Sequence, residues 1–291
     1  MTVTTREPRL DQTVAAPPRR RTRRARRGPW PLTALLVVIA LITVTPFFLM
    51  IVLALSPSGT VGIPEKLPDR LTLDNITGML QASGFVRWTL NTVIYSVVSV
   101  VVILLTATMA GYAFARKKFP GRNVLLWSFI ATLMVPFQAL LIPYFVIVSN
   151  LGWVNTYWGL IVPTLANAQA VFLMRQFIRD LPDELFDAAK VDGAPEWRVF
   201  VQIVLPLVRP ILATLGIFVF LWHWNDFLWP LVIAQGDQMR TLTVGLATLR
   251  SADVSTPELM ASAVISVVPC IVVFLVLQRY LVNSIAMTGL K

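Results

Sequence analysis

Two short stretches hold most of the polar chemistry in this sequence. The first runs Asp187, Ala188, Ala189, Lys190, Val191, Asp192, Gly193, Ala194. An acid beside two small side chains on an exposed helix lets another protein approach closely, and glycine permits the backbone to turn. A routine connector between helices fits the same residues. The second stretch, Trp222 to Leu231, reads WHWNDFLWPL. Asn225 and Asp226 offer an amide and a carboxylate to hydroxyl groups, while Trp222, Trp224 and Trp229 offer flat faces to hydroxylated rings. An interfacial aromatic belt, with Asp226 capping or pairing locally, is the structural alternative. No catalytic residue and no metal ligand set is expected. His223 is the sole histidine and Cys270 the sole cysteine, and neither HExxH nor GxSxG occurs. The phosphate loop GxxxxGK[ST] is missing as well, so no cofactor is expected on this chain.

These residues must be positioned by an unusually apolar chain. Of its 291 residues 56% are hydrophobic and 14% charged, against about 25% charged in soluble domains, which points to a lipid-facing protein. A net charge of +10 suggests nucleic acid at first sight, but nine of the 25 Lys and Arg precede Trp30 and seven of those lie in Arg19–Arg27. Next to a hydrophobic run, such a block is a tail attracted to anionic membrane lipid, and no nucleic-acid partner is expected. Residues 1–30 are therefore read as a basic, disordered tail, and residues 31–291 as the membrane domain.

A bilayer core of about 30 Å needs about 20 apolar residues in a helix. Leu32–Leu55 supplies 24 uncharged residues, too long for the core of a secretory signal, and is read as a retained first span with Pro46 inside it. Trp88–Ala115 contains the second. Asn123–Met174 holds 52 residues without Asp, Glu, Lys or Arg. A helix of that length would be about 78 Å long, so the turn-rich Ser149–Thr156 is expected to divide it into spans three and four. Pro136, Gln138 and Pro143, and then Pro163, Asn167 and Gln169, are expected to put kinks and polar spots there. Ile211–Ala234 and Leu259–Leu277 complete six spans. Asp226 then falls inside span five, about 22 Å from its start.

Six spans put both termini on one side. The terminal side collects 20 Lys and Arg and the opposite side five, so both termini and the segment of about 176–210 are expected in the cytoplasm. Within that segment Asp180 is expected to cap a short helix. Leu185, Ala188 and Ala189 should share a narrow face, Gly193 should turn the chain, and Pro195 should restart a helix. Trp197, Phe200, Val201, Val204 and Leu205 are then expected along one apolar face.

The order Asp187-Ala188-Ala189, Asp192-Gly193-Ala194, Ile203 and Leu205-Pro206 resembles the "EAA" loop of permease subunits in ABC importers, with Asp187 where glutamate is usual. WHWNDFLWPL resembles the carbohydrate-type branch, especially the maltose-type second permease subunit, over approximately Pro31–Lys291. The resemblance implies an all-α polytopic protein whose six transmembrane helices carry a cytoplasmic coupling helix between spans four and five. It implies Asp187, Ala188, Ala189, Asp192, Gly193 and Ala194 as the contact with a cytoplasmic ATPase dimer, where ATP and Mg reside. A homologous second permease subunit, an extracytoplasmic solute-binding protein and a sugar-type substrate are implied partners, and the bacterial cytoplasmic membrane the location. Trp222, Asn225, Asp226 and Trp229 are the candidates for the solute path. The competing classes are a permease for glycerol phosphate, amino acids or peptides, a proton-coupled secondary transporter using Asp226, and a membrane scaffold.

Overall fold

The structure is a computed structural model that describes residues 30–57, 68, 70–82, 84–251 and 254–288, so nearly all of the basic tail expected over residues 1–30 lies outside it. Every regular element among the described residues is helical. In chain order these are α1 Trp30–Ala54, α2 Asp74–Gln81, α3 Phe85–Arg116, α4 Arg122–Thr132, α5 Phe137–Asn150, α6 Tyr157–Ile161 and α7 Ala168–Arg179. They are followed by α8 Asp183–Val191, α9 Glu196–Arg198, a π-helical turn Val199–Val204, α10 Leu205–Leu207, α11 Arg209–Asn225, α12 Leu228–Ile233, α13 Leu242–Ser251 and α14 Thr256–Thr288. Three described helices are long and apolar enough to cross a membrane, or up to six spans if each of three bent pairs counts as one.

Two units divide at Pro46. The described part of the first is the start of α1, where Leu36 and Ile42 among others stay exposed, as side chains solvated by lipid tails do. In the second unit, Ala54 packs with Met79 and Ala261, and the Asn75 amide donates to the carbonyls of Ala54 (3.0 Å) and Ser56 (2.7 Å).

The core of that second unit is built on α3. Its Tyr95, Ser99, Ile103, Ala107 and Gly111 are all buried and recur four residues apart, the spacing of one helix face. Against this face lie α7 and α11. Gly111 is where α7 comes closest: a Cβ there would sit 2.9 Å from the backbone nitrogen of Arg175. Only a residue without a side chain permits that approach.

The proline positions break the remaining spans more sharply than kinks. Expected span three is the pair α4 and α5, bent by 103°. Pro136 starts α5 there with extended backbone and has no N–H to continue the ladder. Span four bends by 44° between Tyr157–Thr164 and α7. Pro163 lies in the 3-10 turn, and the Asn167 side chain caps α7 by accepting the Ala170 N–H at 2.8 Å. Span five also differs from expectation. Instead of running to Ala234, α11 ends at Asn225, Asp226 is extended (φ −64°, ψ 130°), and the chain resumes as α12. Asp226 thus occupies a helix break, where free N–H groups can meet it, rather than the interior of a continuous span.

Candidate functional site

The loop between α7 and α11 is a bent helical pair. Asp183 and Glu184 occupy the first turn of α8 and Lys190 the last, matching the helix dipole at both ends. Asp180 does not cap this helix as expected. Because α7 runs on to Arg179, Asp180 is the C-cap of α7, and Pro182 precedes the first turn of α8. The end of α8 follows the expectation: Gly193 adopts φ +64°, the Ala194 N–H donates to Ala189 O at 2.9 Å, and the Gly193 N–H donates to Lys190 O at 3.1 Å. This is a Schellman closure, which places the last helical carbonyls under hydrogen bonds and needs a left-handed residue at its centre. Pro195 then starts the second arm.

The expected apolar faces are divided between core and solvent. On α8 it is Phe186 and Ala189 that enter the core, while Leu185, Asp187 and Ala188 face outward and Val191 is 88% exposed. On the second arm Val199, Val204 and Val208 are buried, whereas Trp197 is 62% and Val201 48% exposed. The π turn explains this. Its wider i→i+5 winding brings Val199 and Val204, five residues apart, onto one side, where a 3.6-residue period would separate them. The outcome is a water-facing surface of Leu185, Ala188, Val191, Trp197 and Val201. The Asp187 carboxylate is already engaged within its helix by Lys190 at 2.8 Å.

Side chains from the end of α3 hold this pair. The Arg116 guanidinium donates to the carbonyls of Ile178 (2.9 Å) and Arg179 (3.3 Å), to that of Leu181, and to the Asp183 carboxylate. Its carbon lies 4.2 Å from the centre of the Phe186 ring. A cation here satisfies the orphan carbonyls of α7 and stacks on an aromatic face at once. The Tyr112 hydroxyl donates to Glu196 at 2.9 Å and Lys117 pairs with the same carboxylate. The Lys117 hydrogen bond, then that of Tyr112, holds the Glu196 carboxyl below its usual range. None of these four residues was singled out from the sequence: Arg116 and Lys117 counted only as orientation charges, and their partners lie at least 60 residues away.

At the other end of α11, Asp226 accepts the Tyr95 hydroxyl at 2.8 Å and is approached by the backbone N–H groups of Phe227, Leu228 and Trp229. Trp229 is fully buried, its indole N–H donating to the carbonyls of Gly159 and Leu160 at 3.1 Å. Trp222 and Asn225 are exposed, and the Asn225 amide donates to Leu221 O at 2.7 Å. His223 is buried, one ring nitrogen 2.8 Å from Val219 O and the other 3.3 Å from the Thr164 hydroxyl. A small cavity of 130 Å³ is lined by Tyr95, Gln138, Trp222, His223 and Asp226. It shares Phe137 and Trp222 with a larger one of 490 Å³, where Thr164, Asn167 and Gln169 also lie. Of the four path candidates, Trp222 borders both cavities and Asp226 the smaller, whereas Trp229 is packed away from them.

The far end of α3 is bonded too. The Asn91 amide donates to the carbonyls of Gln238 (2.9 Å) and Arg240 (2.8 Å), and its oxygen accepts the Tyr157 hydroxyl at 2.6 Å. The Thr92 hydroxyl accepts the Leu242 N–H at 2.7 Å. Sequence reading passed over Asn91 and Thr92, which look like ordinary polar residues near a span end.

Three long apolar helices and three bent pairs of membrane-span composition, with a capped helical pair between α7 and α11, describe a multi-pass membrane protein. Residues 103–287 match the family described as "Binding-protein-dependent transport system inner membrane component", and the chain belongs to that family. It is 39% identical over 268 residues to the arabinooligosaccharides transport system permease protein AraQ of Halalkalibacterium halodurans, covering 90% of this chain and 96% of that one. It is 32% identical to the diacetylchitobiose uptake system permease protein NgcG of Streptomyces coelicolor, covering 87% and 86%. Among solved structures, a chain of a bacterial ABC transporter involved in the import of the acidic polysaccharide alginate matches with TM-score 0.76 and 25% identity, over 86% of this chain and 95% of that one. The expected resemblance to carbohydrate-type importer permeases is borne out. The chain is a multi-pass inner-membrane transport component.

Proposed function

We propose that this chain forms half of the transmembrane pathway for an oligosaccharide, paired with a homologous permease subunit and driven by a separate cytoplasmic ATPase dimer that binds ATP and Mg. A binding protein outside the membrane delivers the solute, and both termini lie in the cytoplasm. The observation that carries this reading is the exposed face of the loop. Val191, Trp197 and Val201 are bare, beside small Ala188, on an element that the protein itself fixes in place. An exposed apolar patch held by its own scaffold marks an interaction site. Asp187, Ala188 and Ala189 on α8, with Asp192, Gly193 and Ala194 in the turn that ends it, are the residues of the proposed contact.

Oligosaccharide is the substrate class because the relatives named above carry such solutes in their names and because the larger cavity suits one. Its 490 Å³ combines an aromatic edge, Trp222, with amide and hydroxyl groups from Asn167, Gln169 and Thr164, within the range of about 300–1,000 Å³ for small-molecule sites. Asp226 sits one layer deeper, bonded to Tyr95.

Work comes from ATP bound on the partner, through contacts that differ between two states of the complex. Mild-detergent purification through a tag on this chain tests the reading. Wild type should retain an ATPase and a second permease, and Asp187→Arg, which sets two cations side by side with Lys190, should retain less ATPase. Absence of any ATPase, in detergent that preserves a control importer, overturns it.

A further inference from the structure

Resting on that reading, we infer that α3 is the strut that carries motion between the two faces of the membrane, with Arg116, Lys117, Tyr112 and Asn91 as its positioning residues.

The loop joins the membrane bundle in two ways. Along the chain it runs into α11, but that junction bends by 73° at Val208. Pro206 and Pro210 flank the bend, and each lacks the N–H that would stiffen it. Across space it is fixed to α3, through Arg116 on Asp183 and the end of α7, and through Tyr112 and Lys117 on Glu196. Both arms of the loop are thus tied to one helix terminus, while the covalent connection turns sharply at a proline-flanked bend.

α3 suits the role. It runs unbroken for 32 residues without an internal proline, while α1 and α14 contain Pro46 and Pro269 and the other described candidate spans are bent pairs. Between Asn91 and Arg116 its 25-residue separation corresponds to about 38 Å, more than the hydrocarbon core of about 30 Å. The two bonded ends therefore emerge on opposite sides. At the Asn91 end the partners are the Gln238–Leu242 segment and Tyr157, with Tyr95 reaching Asp226 one turn further in. One rigid element thus touches the ATPase-facing loop, the break beside the cavities and the outer loop that faces a delivered solute.

The test uses the complex reconstituted with its ATPase, in a Cys270→Ser background. Nitroxide labels are placed at exposed Gln202→Cys on the loop, Leu105→Cys on α3 and Phe218→Cys on α11. Distances are read by pulsed EPR without nucleotide and after trapping with Mg-ATP and vanadate. The loop-to-α3 distance should change by less than about 2 Å while loop-to-α11 changes by about 5 Å, the scale of one element sliding past another. Lys117→Glu, which faces Glu196 with a like charge, should let the loop-to-α3 distance change on trapping. The double variant Lys117→Glu/Glu196→Lys should restore its constancy, a rescue that a general packing defect would not show. Equal changes in both wild-type distances, or a Lys117→Glu variant identical to wild type, overturn the strut. A preparation that binds no ATPase overturns the permease reading itself, and with it the strut.

Discussion

The loop of α8 and the break at Asp226 each present an acid, one within a helix and one where a helix stops, and they use it in opposite ways. Asp187 is exposed, its only ion-pair partner among the described residues is Lys190 three positions along, and the same loop leaves Val191 and Trp197 bare. Asp226 is half-buried, bonded by Tyr95 and approached by the N–H groups that begin α12. An exposed ion pair within one helix contributes little, whereas a carboxylate partly withdrawn from water needs hydrogen bonds to stay charged. On the proposed reading, recognition at the loop therefore falls to Val191, Trp197 and Leu185. At the break, Asp226 borders the smaller cavity with Tyr95 and Trp222.

Substitutions can sharpen this contrast. The largest effect belongs to the break: Trp229→Ala empties a fully buried site and orphans two carbonyls, at a cost of about 3–5 kcal/mol. Thermal unfolding in detergent, followed by loss of monodisperse protein, should show it plainly, and an unchanged midpoint would mean that Trp229 is not packed as described. At the loop, Trp197→Ala should weaken retention of the ATPase by about tenfold or more, since a docking aromatic commonly contributes 2 kcal/mol or above. Asp187→Asn should change it by less than about fivefold, the range of an exposed pair. Titration of the purified ATPase onto the permease complex measures both. The reverse ranking would move recognition from the apolar face to the acid.

The smallest effect concerns pH. The Glu196 carboxyl is held below its ordinary range by Lys117 and Tyr112, so the folded state binds its proton less readily than the unfolded chain does. Its contribution is present above the ordinary glutamate value of about 4.3 and is lost as pH falls through the lower folded value. The loop should accordingly loosen in acid, seen as faster proteolysis at Arg198, and Glu196→Gln should remove that pH dependence. A slope that survives in Glu196→Gln would assign it to another group.

Much of this arrangement is written locally. Uninterrupted apolar runs foretold α1, α3 and α14, because lipid solvates side chains without regard to neighbours in space. Pro136, Pro163 and Asn167 marked breaks because proline and a capping amide act on their own backbone. Gly193 marked the turn because only a left-handed residue completes that closure. A 3.6-residue rule, in contrast, grouped Ala189 with Leu185 and Ala188, and Val204 with Trp197 and Val201, whereas Ala189 and Val204 are buried and the others exposed. The π turn over Val199–Val204 adds winding that no hydrophobic pattern announces.

The partnerships were decided only by the tertiary structure. Arg116 meets Ile178 across 62 positions, Tyr95 meets Asp226 across 131 and Asn91 meets Arg240 across 149. In the sequence these are a charge that orients a span, an acid of uncertain duty and a polar residue near a helix end. Composition and periodicity fix where a chain can be helical and which medium it can enter, since both depend on a residue and its near neighbours. Which buried group answers which depends on how the helices pack, and α3 acquires its bonded ends only once α7, α8 and the Gln238–Leu242 segment have come to rest against it.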